Sequence, residues 1–280
     1  RLDWRENILS IQGDHLPGGE LKVWYMEAYC RPGSTDQDWR KETVIGHWTK
    51  PVFVSQDRRL MKLRCTLDDG VVIDHEIRAT HDQVNFQLVV TNPTDKPSLA
   101  LWGQPCVRVG AFTGRTQNPR HLRRGPLWAR EIASTYLPKS FIFLNNKLTR
   151  MPTPDWATEA RYTPGQVWRP KHVQIENVNP RPLNNSIPSN GLIGCFSSDN
   201  KMIMATAWEP YQELFQGVIV CLHSDFRIGG VQPGESKTIR GKIYLMEANV
   251  DALLERYQKD FPEHFEVTKE VETMGDKDQK

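Results

Sequence analysis

From Met61 to Val90 apolar and polar residues alternate with a period of two, and few architectures can satisfy that pattern. Met61, Leu63, Cys65 and Leu67 fall on one side, and Lys62, Arg64 and Thr66 on the other. Asp68-Asp69-Gly70 then supplies a hairpin turn. Beyond it Val71, Ile73, His75, Ile77 and Ala79 alternate with Asp74, Glu76 and Arg78. A third run sets Val84, Phe86, Leu88 and Val90 against Gln83, Asn85 and Gln87, and Asn92-Pro93 ends it. Successive side chains of a strand point to opposite faces, so each run must lay one face on a core and leave the other wet. The pattern predicts an antiparallel β-meander inside an all-β protein.

Further strand-like runs lie at Leu21–Tyr29, Leu99–Val109, Ser140–Leu144, Leu192–Ser197, Met202–Trp208, Val218–His223 and Thr238–Met246. The first is apolar on both faces and reads as an inner strand. One helix is predicted near the end. Val250, Leu253, Leu254 and Tyr257 form an apolar stripe, Asn249 can cap it, and Pro262 follows Phe261. The expected fold is a large antiparallel β-sandwich with long loops and a C-terminal helix. It would form a single domain over residues 1–269, with the helix at about Asn249–Phe261 and a polar tail over residues 270–280.

At 280 residues, 38% hydrophobic and 25% charged, the chain can bury a sizeable core. Its net charge of +2 predicts no nucleic-acid partner. No apolar run approaches the ~18 residues of a membrane span. The numbering opens at Arg1 rather than Met, so an exported or periplasmic protein with its leader removed would fit. The five cysteines show no C-x-x-C and no zinc-ligand spacing; they read as small core residues.

Two long connections stand out. Ala111–Lys139 carries Arg115, Arg120, His121, Arg123, Arg124 and Arg130 against Glu131, and Met151–Asn190 carries Trp156, Tyr162, Trp168 and the run Asn179–Pro182. Loops this long in a β domain usually bind something, and their aromatics argue against disorder. They are expected to wall a cleft together with Glu209–Glu213.

The chemistry concentrates in Ala207–Arg227. Trp208, Glu209, Tyr211, Gln212 and Glu213 are expected on a turn between two strands, with His223, Asp225 and Arg227 at the far end of the second. His223 and Asp225 share a strand face, so the carboxylate can orient the imidazole as a base or ligand. A glutamate among Trp208, Tyr211 and Phe215 would have its pKa raised by desolvation, which suits an acid. Gln104 and Arg108 lie on one face of their strand, where Arg108 could grip a sugar carboxylate. Glu27, read on the face of Val23, Tyr25 and Tyr29, needs an arginine partner. His75 sits between Ile73 and Ile77 and reads as a core histidine. His47, in a polar connection, could join His223 and a glutamate in a divalent-metal site; otherwise no cofactor is expected.

The stretch Val231–Leu245, VQPGESKTIRGKIYL, with the alternating strands before it, resembles the galactose-mutarotase-like supersandwich. That architecture is shared by aldose epimerases and the β-domains of many polysaccharide lyases and glycoside hydrolases. The blocks Tyr25–Trp39, Gln104–Arg115, Asn190–Ser197 and Glu209–Gly230 also resemble uncharacterised bacterial proteins of planctomycete type. The resemblance implies a carbohydrate-active protein. The two-histidine-plus-glutamate signature of aldose epimerases is not placed here, which tells against simple mutarotase activity.

The reading that follows is an enzyme acting on an acidic glycan by lyase- or epimerase-type proton transfer. Its catalytic residues would be His223, Glu213 and Tyr211. Arg108, Gln104, Trp208, Arg227 and Trp168 would bind the substrate. The alternatives are a non-catalytic glycan-binding sandwich, with Trp156, Trp168, Trp208 and Tyr211 stacking sugar rings, and a structural or assembly subunit.

Overall fold

The computed structural model describes residues 1–33, 39–114, 136–153, 167–178, 183–217 and 220–265. In chain order the strands are β1 (Leu2–Arg5), β2 (Ile8–Gln12), β3 (Glu20–Cys30), β4 (Val44–Ile45), β5 (His47–Val54), β6 (Leu60–Leu67), β7 (Val72–Ala79), β8 (Gln83–Thr91) and β9 (Trp102–Arg108). They continue as β10 (Ser140–Leu144), β11 (Lys147–Arg150), β12 (Val167–Trp168), β13 (Pro188–Phe196), β14 (Met202–Glu209), β15 (Tyr211–Gln216), β16 (Cys221–Arg227) and β17 (Ser236–Glu247). One helix, α1 (Val250–Asp260), follows.

These strands form two antiparallel sheets, an all-β sandwich as the alternation requires. Sheet one runs β1-β2-β3-β9-β16-β15-β12, with β4 beside β3; sheet two runs β11-β10-β13-β14-β17-β8-β7-β6-β5. The Met61–Val90 meander is β6-β7-β8 of sheet two, with Met61, Leu63, Cys65, Ile73, Ile77, Phe86 and Leu88 buried. They meet Val23, Tyr25, Val107, Leu214, Leu222 and Phe226 of sheet one in the central core. Each such side chain contributes about 1.5–3 kcal/mol by leaving water. The turn before β17 is tied by Glu235 N–H to the Gln232 carbonyl (3.0 Å), and Gly234 takes a φ of 73°, as a type II turn demands.

The helix forms where the apolar stripe predicts it. The Asn249 side chain accepts a hydrogen bond from Ala252 N–H at 3.0 Å, capping the first turn. Leu253, Tyr257 and Phe261 then pack on Phe141, Phe143, Ala205, Ala207 and Tyr244, which are the outer face of sheet two.

Three local expectations change. Tyr211–Glu213 is not a turn: the chain passes from sheet two to sheet one at Glu209-Pro210, and Tyr211 opens strand β15. The following strand is Cys221–Arg227, not Val218–His223, so His223 lies inside it and not at its end. Glu27 leaves the face of Val23 and Tyr25. The β3/β9 register shifts between Trp24 and Ala28, and this irregularity turns the carboxylate outward. Arg115, Arg120, His121, Arg123, Arg124, Arg130, Glu131, Trp156, Tyr162, Asn179–Pro182, Val218, Ile219 and the tail from residue 270 lie outside the described residues. So do most of the first connection expected to wall a cleft and part of the second.

Candidate functional site

The site follows from the parity of four adjacent strands, β3, β9, β16 and β15. Val107 opposes both Val23 and Leu222, and all three enter the central core. The alternate positions therefore project from the outer face of sheet one: Gln104, Cys106 and Arg108 on β9, and Cys221, His223, Asp225 and Arg227 on β16. On β15, Glu213 opposes Asp225 and Phe215 opposes His223. The Phe215 and His223 rings stack at 4.2 Å, 10° from parallel. Behind Phe215, Val167, Val173 and Val178 form a small apolar cluster, so part of the second long connection lies against this face.

His223 is the centre. Its Nδ1 stands 3.5 Å from Asp225 Oδ1, an ion-pair distance. Its Nε2 stands 3.4 Å from Cys221 Sγ and 3.9 Å from Glu27 Oε2. His223 is 2% exposed and Asp225 and Glu213 are fully buried, whereas the Glu27 side chain keeps 18% of its surface. Glu27 is thus the acid that reaches toward solvent. The Arg108 guanidinium lies 5.5 Å over the Trp24 ring. Arg108 Nε and Asp225 Oδ2 are buried with no hydrogen-bond partner among the described residues, and His223 Nδ1 and Asp225 Oδ1 have only each other, at 3.5 Å. Buried polar atoms are nearly always satisfied, and a bound molecule is one way these would be.

The charges respond to this burial. Desolvation pushes the Asp225 carboxyl up to about 7, against the pull of His223. Burial likewise raises Glu27, opposed first by His223. Burial alone would lower the His223 imidazole; Cys221 and Asp225 more than reverse it, leaving it well above an ordinary histidine. Carboxyl, imidazole and carboxyl in line, with an acid poised near neutrality, can accept and return a proton.

The expected set is divided by the sheet. His223, Glu213, Gln104 and Arg108 come together on the outer face. Arg227 is on that face too, but four residues along β16, where it donates to Gln212 Oε1 at 2.7 Å. Tyr211 opposes Phe226 and joins the central core, on the other side of sheet one. Its neighbours are the rings of His264 (5.3 Å) and His172 (6.4 Å). His264 in turn bonds Glu209 through Nε2 at 2.5 Å and Tyr257 through Nδ1. Trp208 and Trp168 are also core residues; the Trp208 ring packs between Phe86 and Phe226, so neither indole offers a face to a sugar. His47 opens the edge strand β5, its ring edge-on to Tyr29 at 5.2 Å, and burial lowers its pKa. It is outside the one group of potential metal donors among the described residues, which is Cys106, Cys221 and His223.

Cys106 and Cys221, read from sequence as core residues, are the members that sequence reasoning missed. The signal was Cys221-Leu222-His223: on a strand, positions two apart share a face.

No family model matches the sequence, and no curated protein matches it. Solved structures do. A galactose mutarotase related enzyme from Lactobacillus acidophilus is 7% identical, with a TM-score of 0.43 over 89% of this chain and 98% of that one. A galactose mutarotase-like protein from Lactobacillus casei is 10% identical, with a TM-score of 0.37 over 88% of this chain and 99% of that one.

Proposed function

We propose that this protein is a carbohydrate-active enzyme that moves a proton on an acidic sugar. The carrying observation is the line Asp225–His223–Glu27 beside Arg108 and Gln104, with its orphaned polar atoms. Arg108 suits a uronate carboxylate, because a guanidinium matches it with two parallel donors. Neutralising that carboxylate lowers the barrier to removing the adjacent carbon-bound proton. His223, oriented by Asp225, takes or returns the proton. Tyr211 faces away, so the second acid–base role passes to Glu27, whose carboxyl is raised by burial and still reaches solvent. Glu213 stands opposite Asp225 on the neighbouring strand.

The test is a panel of uronate-containing glycans and neutral reducing sugars, assayed for double-bond formation and for epimerisation. The reading expects turnover of a uronate substrate, reduced about 10²-fold or more in Glu27→Gln with an unchanged melting temperature. Arg108→Met should raise KM for uronates and spare neutral sugars. Glycan binding that survives Glu27→Gln with no turnover in any variant would make the protein a lectin instead. Absence of both binding and turnover across the panel would end the carbohydrate reading.

A further inference from the structure

The geometry points to a zinc site on the outer face of sheet one, held by Cys106 Sγ, Cys221 Sγ and His223 Nε2, with no fourth donor in the group among the described residues and with Glu27 beside it. The three donor atoms all lie within 4.8 Å of one another and are buried. A tetrahedral zinc with Zn–S near 2.3 Å and Zn–N near 2.0–2.1 Å holds its donors about 3.6–3.8 Å apart. Cys221 Sγ and His223 Nε2, at 3.4 Å, are about 0.2 Å inside that spacing, so a small opening of the pair would seat the ion.

The backbone makes the convergence rigid. Cys221 and His223 are two apart on β16, and the pairing of Val107 with Leu222 brings Cys106 of β9 alongside them. All three ligands thus come from hydrogen-bonded neighbouring strands. Space for the ion is kept by Gly217. A Cβ there would stand 2.3 Å from Cys221 Sγ and 2.8 Å from His223 Nε2, so only glycine leaves both donors where they are.

Donor type narrows the ion. Two thiols and an imidazole suit zinc, and exclude magnesium and calcium, which take oxygen. The outer contacts agree. Metal-bound histidines hand their other nitrogen to a carboxylate, and His223 Nδ1 faces Asp225 at 3.5 Å while Nε2 faces Cys221 Sγ at 3.4 Å. Glu27 Oε2, 3.9 Å from Nε2 and on the solvent side, stands where a base would serve a metal-bound water. Three protein ligands with an open position are the pattern of catalytic rather than structural zinc. Cys65 and Cys195, also buried, lie on sheet two and belong to no such group.

The site coincides with the one proposed to act on a sugar. With zinc on Nε2 and Asp225 on Nδ1, His223 has no nitrogen left for proton transfer, so in the metal-loaded protein that role falls to Glu27. Metal content is read without any substrate, so the metal and the sugar reading are tested separately. The experiment is metal analysis of the full chain, purified reduced and without chelator, followed by cobalt titration of the metal-stripped protein. About one zinc per chain is expected, with a near-ultraviolet thiolate-to-cobalt charge-transfer band on titration. The Cys106→Ser/Cys221→Ser protein should lose both, and Cys65→Ala should keep both. If the double variant does not fold, the wild-type cobalt spectrum still decides. Absence of stoichiometric zinc together with absence of the charge-transfer band would overturn the proposal, as would a band unchanged in the double variant.

Discussion

Two buried histidines on strands of one sandwich are set to opposite tasks by their partners. His75 lies in the central core with Nδ1 2.8 Å from the Tyr25 hydroxyl and Nε2 3.3 Å from that of Tyr29. Burial pushes its pKa down to about 3. In the unfolded chain it would titrate near 6.5. Below that pH the unfolded state takes up a proton that the folded state refuses. The contribution of His75 is therefore complete above about pH 6.5 and is lost as pH falls toward about 3, by roughly 1.4 kcal/mol per unit. Urea unfolding between about pH 7 and pH 4 should show His75→Gln losing stability less steeply than wild type by about one proton's worth. His223, by contrast, has carboxylates and a thiol within 4 Å and is held well above an ordinary histidine. Gly217→Ala addresses that site alone. It should abolish the cobalt band and turnover, because the methyl would meet Cys221 Sγ at 2.3 Å and His223 Nε2 at 2.8 Å, and should cost about 1–3 kcal/mol by overpacking.

At the level of elements, the two sheets are joined by a repeated device. Trp208 on β14 opposes Gly241 on β17, and Phe226 on β16 opposes Gly103 on β9. In each pair the ring lies over the glycine: a Cβ on Gly241 would meet the indole at 2.2 Å, and one on Gly103 the phenyl at 2.3 Å. The rings then meet across the core at 4.9 Å. Gly241→Ala is expected to destabilise by about 1–3 kcal/mol through overpacking, and Trp208→Ala by about 3–5 kcal/mol. Denaturant titration of the double variant should give less than the sum, because removing the indole makes room for the methyl. Purely additive losses would show that the ring and the glycine do not share one space.

For the molecule as a whole, the outer faces of the sheets are used differently. That of sheet two is covered by α1 over β10, β14 and β17 and is wet over the β6–β8 meander, where Lys62 pairs with Glu76 and Arg64 with Asp74, while that of sheet one carries the buried ionisable cluster. Stability and chemistry should then separate. Leu253→Ala, which opens a cavity under the helix, is expected to cost about 2–5 kcal/mol in denaturant unfolding. At temperatures where the variant is folded, it should leave zinc content and the cobalt spectrum unchanged. Altered metal binding in that variant would mean the helix face and the candidate site are coupled through the sandwich.

What depends on near neighbours was legible in the order of the residues. A period of two over Met61–Val90 forces half-buried strands, the stripe Val250–Tyr257 with Asn249 forces a capped helix, and even spacing puts Gln104 with Arg108 and His223 with Asp225 on common faces. Tertiary structure alone decided which faces meet. The register shift between Trp24 and Ala28 swung Glu27 out to His223, and the crossing at Glu209-Pro210 sent Tyr211 into the core rather than onto a turn. The pairing of β9 with β16 set Cys106 beside Cys221 across more than a hundred residues of chain. Alternation is a property of one strand and survives any arrangement of the others. Strand order and register are fixed by burial summed over both sheets, and no local window of residues contains that sum.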